Sequence, residues 1–167
     1  MNIMIRPAVP DDAETIVSLI RELADYERLT HEVKATAHDL RKNLFGPRPF
    51  AEAILAEIDG ETVGFALFFP SFSTFRGQPG IYLEDLFVRP EHRGGGVGKA
   101  LLASVARIAL ERSCGRLEWS VLDWNDPAIG FYRSLGAQAM DEWTVHRIAD
   151  EPLVRLASFA PPIEDRG

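Results

Sequence analysis

Cysteine is nearly absent from this chain of 167 residues: Cys114 stands alone, which rules out an intrachain disulfide and a thiolate metal cluster within one chain. The four histidines, His31, His38, His92 and His146, fall at no H-x-x-x-H spacing, so no metal is expected. Ser104, Ser113 and Ser120 sit in no G-x-S-x-G elbow, and Cys114 has no histidine motif nearby. A covalent acyl-enzyme is therefore not indicated. No uninterrupted apolar run nears the roughly 18 residues of a membrane span. The start, Met1 to Pro7, lacks both a basic cluster and a long apolar stretch, and reads as a strand instead of a signal peptide. A cytoplasmic protein without membrane association is expected. Basic charge is also short, with 18 Lys and Arg against 25 Asp and Glu for a net charge of −7. Such a field disfavours nucleic acid. It favours encounter with cations, although mild acidity also serves solubility alone.

What is present is a sizeable apolar fraction, 46% against 26% charged. It suits one globular domain over residues 1–167, with 160–167 as a flexible tail. Ile3–Arg6 predicts a strand, and Asp11 with Glu14 reads as a capping signal ahead of Ala13, Ile16, Val17, Ile20, Leu23 and Ala24 at helical spacing. A second helix follows Thr36 and stops near Gly46-Pro47. Ala53–Ile58 and Thr62–Phe69 flank Asp59-Gly60 as a hairpin, and Gly80–Val88 continues the meander. Leu101, Leu102, Val105, Ile108 and Ala109 mark a strong helix after Gly98. Leu117–Leu122 predicts a strand, Ala128–Leu135 a short helix capped by Gly136, and Ala137–Ile148 one or two more strands before a helix over Leu153–Ser158. Strands as a meander, then alternating with helices, predict a mixed α/β layer.

Between strand and helix lies Arg93-Gly94-Gly95-Gly96-Val97-Gly98-Lys99. A strand, a glycine turn and a helix N-terminus suit a phosphate, because the first-turn amides lack internal partners and glycine admits an anion to the backbone. A P-loop would need glycine at Arg93 and a hydroxyl at Ala100, and a dinucleotide fingerprint would need glycine at Lys99. Both templates fail. R-x-x-G-x-G matches at Arg93, Gly96 and Gly98, although a ligand-free glycine turn would read the same way.

The flanks extend this match. Tyr82-Leu83-Glu84-Asp85-Leu86-Phe87-Val88-Arg89-Pro90 precedes the loop, and Trp124-Asn125-Asp126-Pro127-Ala128-Ile129-Gly130-Phe131-Tyr132-Arg133-Ser134-Leu135-Gly136-Ala137 follows it. With Ile5-Arg6-Pro7-Ala8 and Ile20 to Glu27, about residues 3 to 158 resemble the GCN5-related N-acetyltransferase (GNAT) superfamily. The resemblance is to its diamine (spermidine/spermine-type) and thialysine N-acetyltransferase branch. It implies an α/β GNAT fold, with a mixed, mostly antiparallel central sheet flanked by helices and coenzyme bound in the splay between strands 4 and 5. It also implies a homodimer. Acetyl-coenzyme A would be held by Leu86, Phe87 and Val88, by Arg93, Gly94, Gly95, Gly96, Val97, Gly98 and Lys99, and by Asn125.

The same resemblance implies direct transfer of acetyl to a primary amine of a small cation in a ternary complex, with no metal. Tyr132 would be the general acid, a role a phenol can fill because it is still protonated at neutral pH; on helical spacing alone it could equally pack. Glu84 would draw the amine proton off through water. Strict alternation sets Glu84 and Asp85 on opposite faces of their strand, which excludes a close dyad. Asp85 is either a second cation contact or a structural partner. Tyr26 and Glu27 match the amine-contact region, or simply end an amphipathic helix, whereas Glu142 and Trp143 read as solvation and packing. Phe75 replaces a tryptophan found in some relatives, leaving the amine open among polyamines, thialysine and short diamines. Another superfamily substrate (a protein lysine or an amino-sugar) is the alternative enzyme reading. A coenzyme A-binding regulatory module without turnover is the alternative outside enzymes.

Overall fold

The computed structural model describes residues 2–163. The chain divides into two compact units, one ending at Ser120 and the other starting at Val121. Residues 164–167, half of the expected tail, lie outside the described residues.

The first unit is built on a five-stranded sheet in the order β1 (Ile3–Pro7), β2 (Glu52–Ile58), β3 (Glu61–Ser73), β4 (Gln78–Val88) and β5 (Leu117–Trp119). The first four strands are antiparallel, and β5 runs parallel to β4. Asp59 and Gly60 make the predicted β2–β3 hairpin, both at positive φ, 51° and 83°. That is the backbone a two-residue turn requires to match strand twist.

Helix α1 (Ala13–Tyr26) buries Ala13, Ile16, Val17, Leu19 and Ala24, and α2 (Ala37–Phe45) buries Leu40 and Leu44. With Leu55, Phe65, Leu67 and Phe87 from the sheet, these side chains other than Ala24 form one core. Strand alternation then turns Gly64 to the opposite face. There a Cβ on Gly64 would lie 2.6 Å from the Phe87 carbonyl of β4 and 3.4 Å from Leu101 Cδ1 of α3 (Val97–Glu111). Thr36 caps α2: its hydroxyl accepts from the Asp39 amide at 3.2 Å, while the Asp39 carboxylate accepts from the Thr36 amide at 2.9 Å.

The start of α1 differs from expectation. Asp12, not Asp11, occupies the boundary, and its carboxylate accepts from the Val9 amide at 2.7 Å. Arg6 selects it by binding both carboxylate oxygens, at 2.8 and 2.9 Å, while its Nε reaches Glu57 at 2.7 Å. Glu14 pairs with Arg41 on α2 instead of reaching back to a cap.

The second unit holds α4 (Asp126–Ser134) and α5 (Asp150–Ala157), near the two helices predicted there. The strands expected within Ala137–Ile148 are absent among the described residues. A strand exists only through a paired neighbour, and here no ladder forms and Met140, Trp143 and Val145 are exposed. Trp143, 77% exposed, therefore does not pack as expected. Strand β5 is likewise three residues long, not the six expected from Leu117 to Leu122.

Candidate active site

The site is organised by the way β4 is paired. Strand β5 accompanies it only through Ile81, Tyr82 and Leu83. Beyond Leu83 the strand continues for five residues, Glu84 to Val88, bonded to β3 but with no β5 partner among the described residues. The parting falls at an irregularity, since Leu67 pairs with Asp85 and Phe68 with Leu83, so Glu84 is an extra residue in the ladder. Such a β-bulge bends the strand and re-aims side chains.

The bulge corrects the expectation that Glu84 and Asp85 are separated by simple alternation, because the two-residue period is interrupted at this pair. Glu84 is exposed and Asp85 half-buried. Burial pushes the Asp85 carboxyl up to about 7, and the charges of Glu84 and Glu27 push it the same way. Desolvation also raises Glu27, which stands just past the last residue of α1. Three carboxyl groups from two elements thus share one region, and the neighbours acting on Asp85 are themselves acids.

Next along the chain comes the glycine loop. After a single turn at Pro90–His92, Gly94 and Gly96 adopt φ of 78° and 88°. A Cβ at either position would meet nothing within 4 Å, so the glycines answer to backbone shape and leave open space above the loop. Helix α3 starts at Val97, and its first backbone bond runs from the Ala100 amide to Gly96 O at 2.9 Å. The amides of Val97, Gly98 and Lys99 therefore precede the internal ladder, with Lys99 adding a cation beside them. An anion such as a pyrophosphate fits this backbone.

Arg93 behaves differently from the rest of the loop. Its Nε donates to Val88 O at 2.8 Å. Its guanidinium carbon lies 4.6 Å from the centre of the Tyr26 ring and 5.4 Å from that of Phe87. The hexapeptide pattern gave no sign of this, because Tyr26 is 67 positions away in sequence. The unit thereby gathers Tyr26, Glu27, Glu84, Asp85, Phe87, Val88 and Arg93 around one end of β4.

Asn125 and Tyr132 belong to the second unit. Asn125 is buried and caps α4, its side-chain oxygen accepting from the Ala128 amide at 3.4 Å. Tyr132 lies in the last turn, its ring 5.4 Å from that of Phe131 and its carbonyl accepting from the Leu135 and Ala137 amides. Gly136, at φ 91°, supplies the left-handed residue that ends the helix.

A meander sheet whose fourth strand parts from a parallel fifth and runs through a glycine loop into a helix defines an acetyltransferase architecture. Residues 15–137 match the Acetyltransferase (GNAT) family, and the chain belongs to that family. It is 42% identical to thialysine N-epsilon-acetyltransferase of Bos taurus over 93% of this chain and 97% of that protein. It is 34% identical to L-ornithine N5-acetyltransferase of Arabidopsis thaliana, over 89% and 85% of the two chains. Among solved structures, an integron cassette protein from V. cholerae superposes with a TM-score of 0.78 at 28% identity, covering 94% of this chain and 98% of that one. The protein is an amine N-acetyltransferase.

Proposed function

We propose that residues 1–167 act as one N-acetyltransferase domain that moves acetyl from acetyl-coenzyme A to a primary amine of a small cationic substrate. The amines considered are thialysine, ornithine and short diamines or polyamines. The observation that carries this reading is the carboxyl region. Asp85, pushed up to about 7 by burial, Glu84 and Glu27, is in a site that gains when a cation arrives to balance it. The relatives named for thialysine and ornithine act on amines of this kind. The family match spans residues from both units, which supports treating them as one functional domain.

In this mechanism the first-turn amides of Val97, Gly98 and Lys99, with Gly94, Gly95 and Gly96, hold the pyrophosphate of the co-substrate. The edge of β4 at Leu86, Phe87 and Val88, which β5 does not cover among the described residues, aligns its arm, and Asn125 contacts it from the turn before α4. Tyr26, Glu27 and Asp85 hold the distal charge of the amine, while Glu84 accepts its proton through water. Tyr132 donates a proton to the departing thiolate. A homodimer, implied by the family resemblance, and a cytoplasmic location belong to the same reading.

The test is thiol release from acetyl-coenzyme A with a panel of thialysine, ornithine, putrescine, spermidine and an N-terminal peptide. Thialysine or a short diamine should give the highest kcat/KM. Release no faster than the uncatalysed rate with every amine would refute the activity. A clear preference for the peptide would refute the substrate class. Tyr132→Phe should slow turnover by roughly 10- to 10⁴-fold, the range of acid catalysis.

A further inference from the structure

The guanidinium of Arg93 is engaged on three sides. Its Nε is bonded to Val88 O at 2.8 Å, and its plane neighbours Tyr26 at 4.6 Å and Phe87 at 5.4 Å. Phe87 is fixed, being 4% exposed within the core formed by α1 and the sheet. Tyr26 is the last residue of α1, and Glu27, which acts on Asp85, follows it directly. The cation over the Tyr26 ring thus joins the glycine loop to the end of α1 that bears the carboxyl region. Arginine suits this task because its flat, delocalised cation stacks on rings while its Nε still donates within the same plane. Arg93 is exposed overall, but its Nε and the face of its guanidinium are directed to β4 and the end of α1, which leaves the backbone amides and Lys99 as the loop's anion contacts.

We propose that Arg93 is a positioning residue for the amine end of the site, acting through Tyr26, and that its side chain is not a ligand of the coenzyme pyrophosphate. The proposal rests on the reading above that Tyr26, Glu27 and Asp85 receive the amine. It assigns Arg93 to a different partner from the one its place in the loop suggests. With Arg93 in place, the end of α1 is held against β4 and the distance between Glu27 and Asp85 is set. Without it, Tyr26 loses its stacking partner, and the amine meets a carboxyl region that is no longer preorganised.

The experiment compares Arg93→Met, Arg93→Lys, Tyr26→Ala, Tyr26→Phe and the double variant Arg93→Met/Tyr26→Ala with Gly98→Asp as control. Acetyl-coenzyme A affinity is read by calorimetry, and thialysine KM and kcat by thiol release. Arg93→Met and Tyr26→Ala should each raise thialysine KM about tenfold, with acetyl-coenzyme A affinity changed less than about twofold. The double variant should be no worse than either single one, because both break the same contact. Tyr26→Phe keeps the ring and should keep the coupling to Arg93 in urea unfolding that Tyr26→Ala loses. Gly98→Asp, which sets a negative charge at the first-turn amides, should show the opposite split and weaken acetyl-coenzyme A.

The proposal is overturned if Arg93→Met weakens acetyl-coenzyme A as Gly98→Asp does, or if Arg93 and Tyr26 effects on thialysine KM multiply independently. Should Arg93→Met fail to fold, Arg93→Lys and the two Tyr26 variants decide the same question. Urea unfolding of the wild type, the single variants Arg93→Met and Tyr26→Ala and their double variant reads the Arg93–Tyr26 coupling, and calorimetry reads the coenzyme, both without turnover. An inactive protein would thus condemn the substrate reading while these two results still judge the contact.

Discussion

Two acidic regions of the first unit use the same kinds of residue to opposite ends. At the start of α1, Asp12 and Glu57 both bond to Arg6, and Arg6 holds the Asp12 carboxyl below the usual carboxylate range. At the other end of the same helix, burial first and then the charges of Glu84 and Glu27 push the Asp85 carboxyl up to about 7. The first region is satisfied by the protein itself and joins β1, β2 and the entry to α1. The second sets two acids against a third, Asp85. Net charge alone could not tell these apart, since acids contribute to it equally wherever they sit.

The comparison breaks most visibly at Arg6. Arg6→Ala strands two largely buried carboxylates and should cost about 3 kcal/mol of stability, read by urea unfolding. The KM for amine of the protein that remains folded should be unchanged. Asp85→Asn should do the reverse, raising the amine KM about tenfold. The same change should stabilise the protein at pH 8 by about 1 kcal/mol, by removing a desolvated charge.

The two groups also separate by pH. Asp12 has a folded pKa below its unfolded value, so its contribution is present above about pH 4 and is lost as pH falls through the depressed value. Asp85 has a raised one, so the folded state loses stability from it as pH climbs from about 4 through about 7. Asp12→Asn should flatten the acid limb of the stability curve, and Asp85→Asn the limb toward neutrality. A bis-quaternary diammonium inhibitor, which cannot titrate, should bind tighter as pH rises from 6 to 8, with Asp85→Asn removing that dependence. The smallest effect is expected at Glu27→Gln, a lowering of the Asp85 midpoint by a fraction of a pH unit, visible in the same inhibitor titration.

Local chemistry explains which parts of this molecule could be read from its sequence. Asp59-Gly60 is a self-contained signal, since the turn needs nothing beyond its own residues and the strands beside it. The glycine loop carries its meaning in its own backbone, and α3 in its apolar spacing. Asp11 misled because the choice between two adjacent aspartates was made by Arg6, through a contact no short pattern contains. The bulge at Glu84 escaped for a similar reason: an extra residue in a ladder exists only relative to the partner strand, here at Leu67 and Phe68. Arg93 was visible as a loop residue, but its stacking on Tyr26 depends on how α1 ends beside β4. The predicted strands after Ala137 had the right residues without a ladder to join.

The loop at Gly94 and Gly96 has a stereochemical consequence. Both residues hold a backbone that is awkward for an L-amino acid, yet neither has an atom within 4 Å of where a side chain would start. The penalty is thus one of handedness and not of space. A mirror-image alanine placed there by chemical ligation would find its own preferred conformation waiting. The same methyl group in its natural hand would fight the backbone.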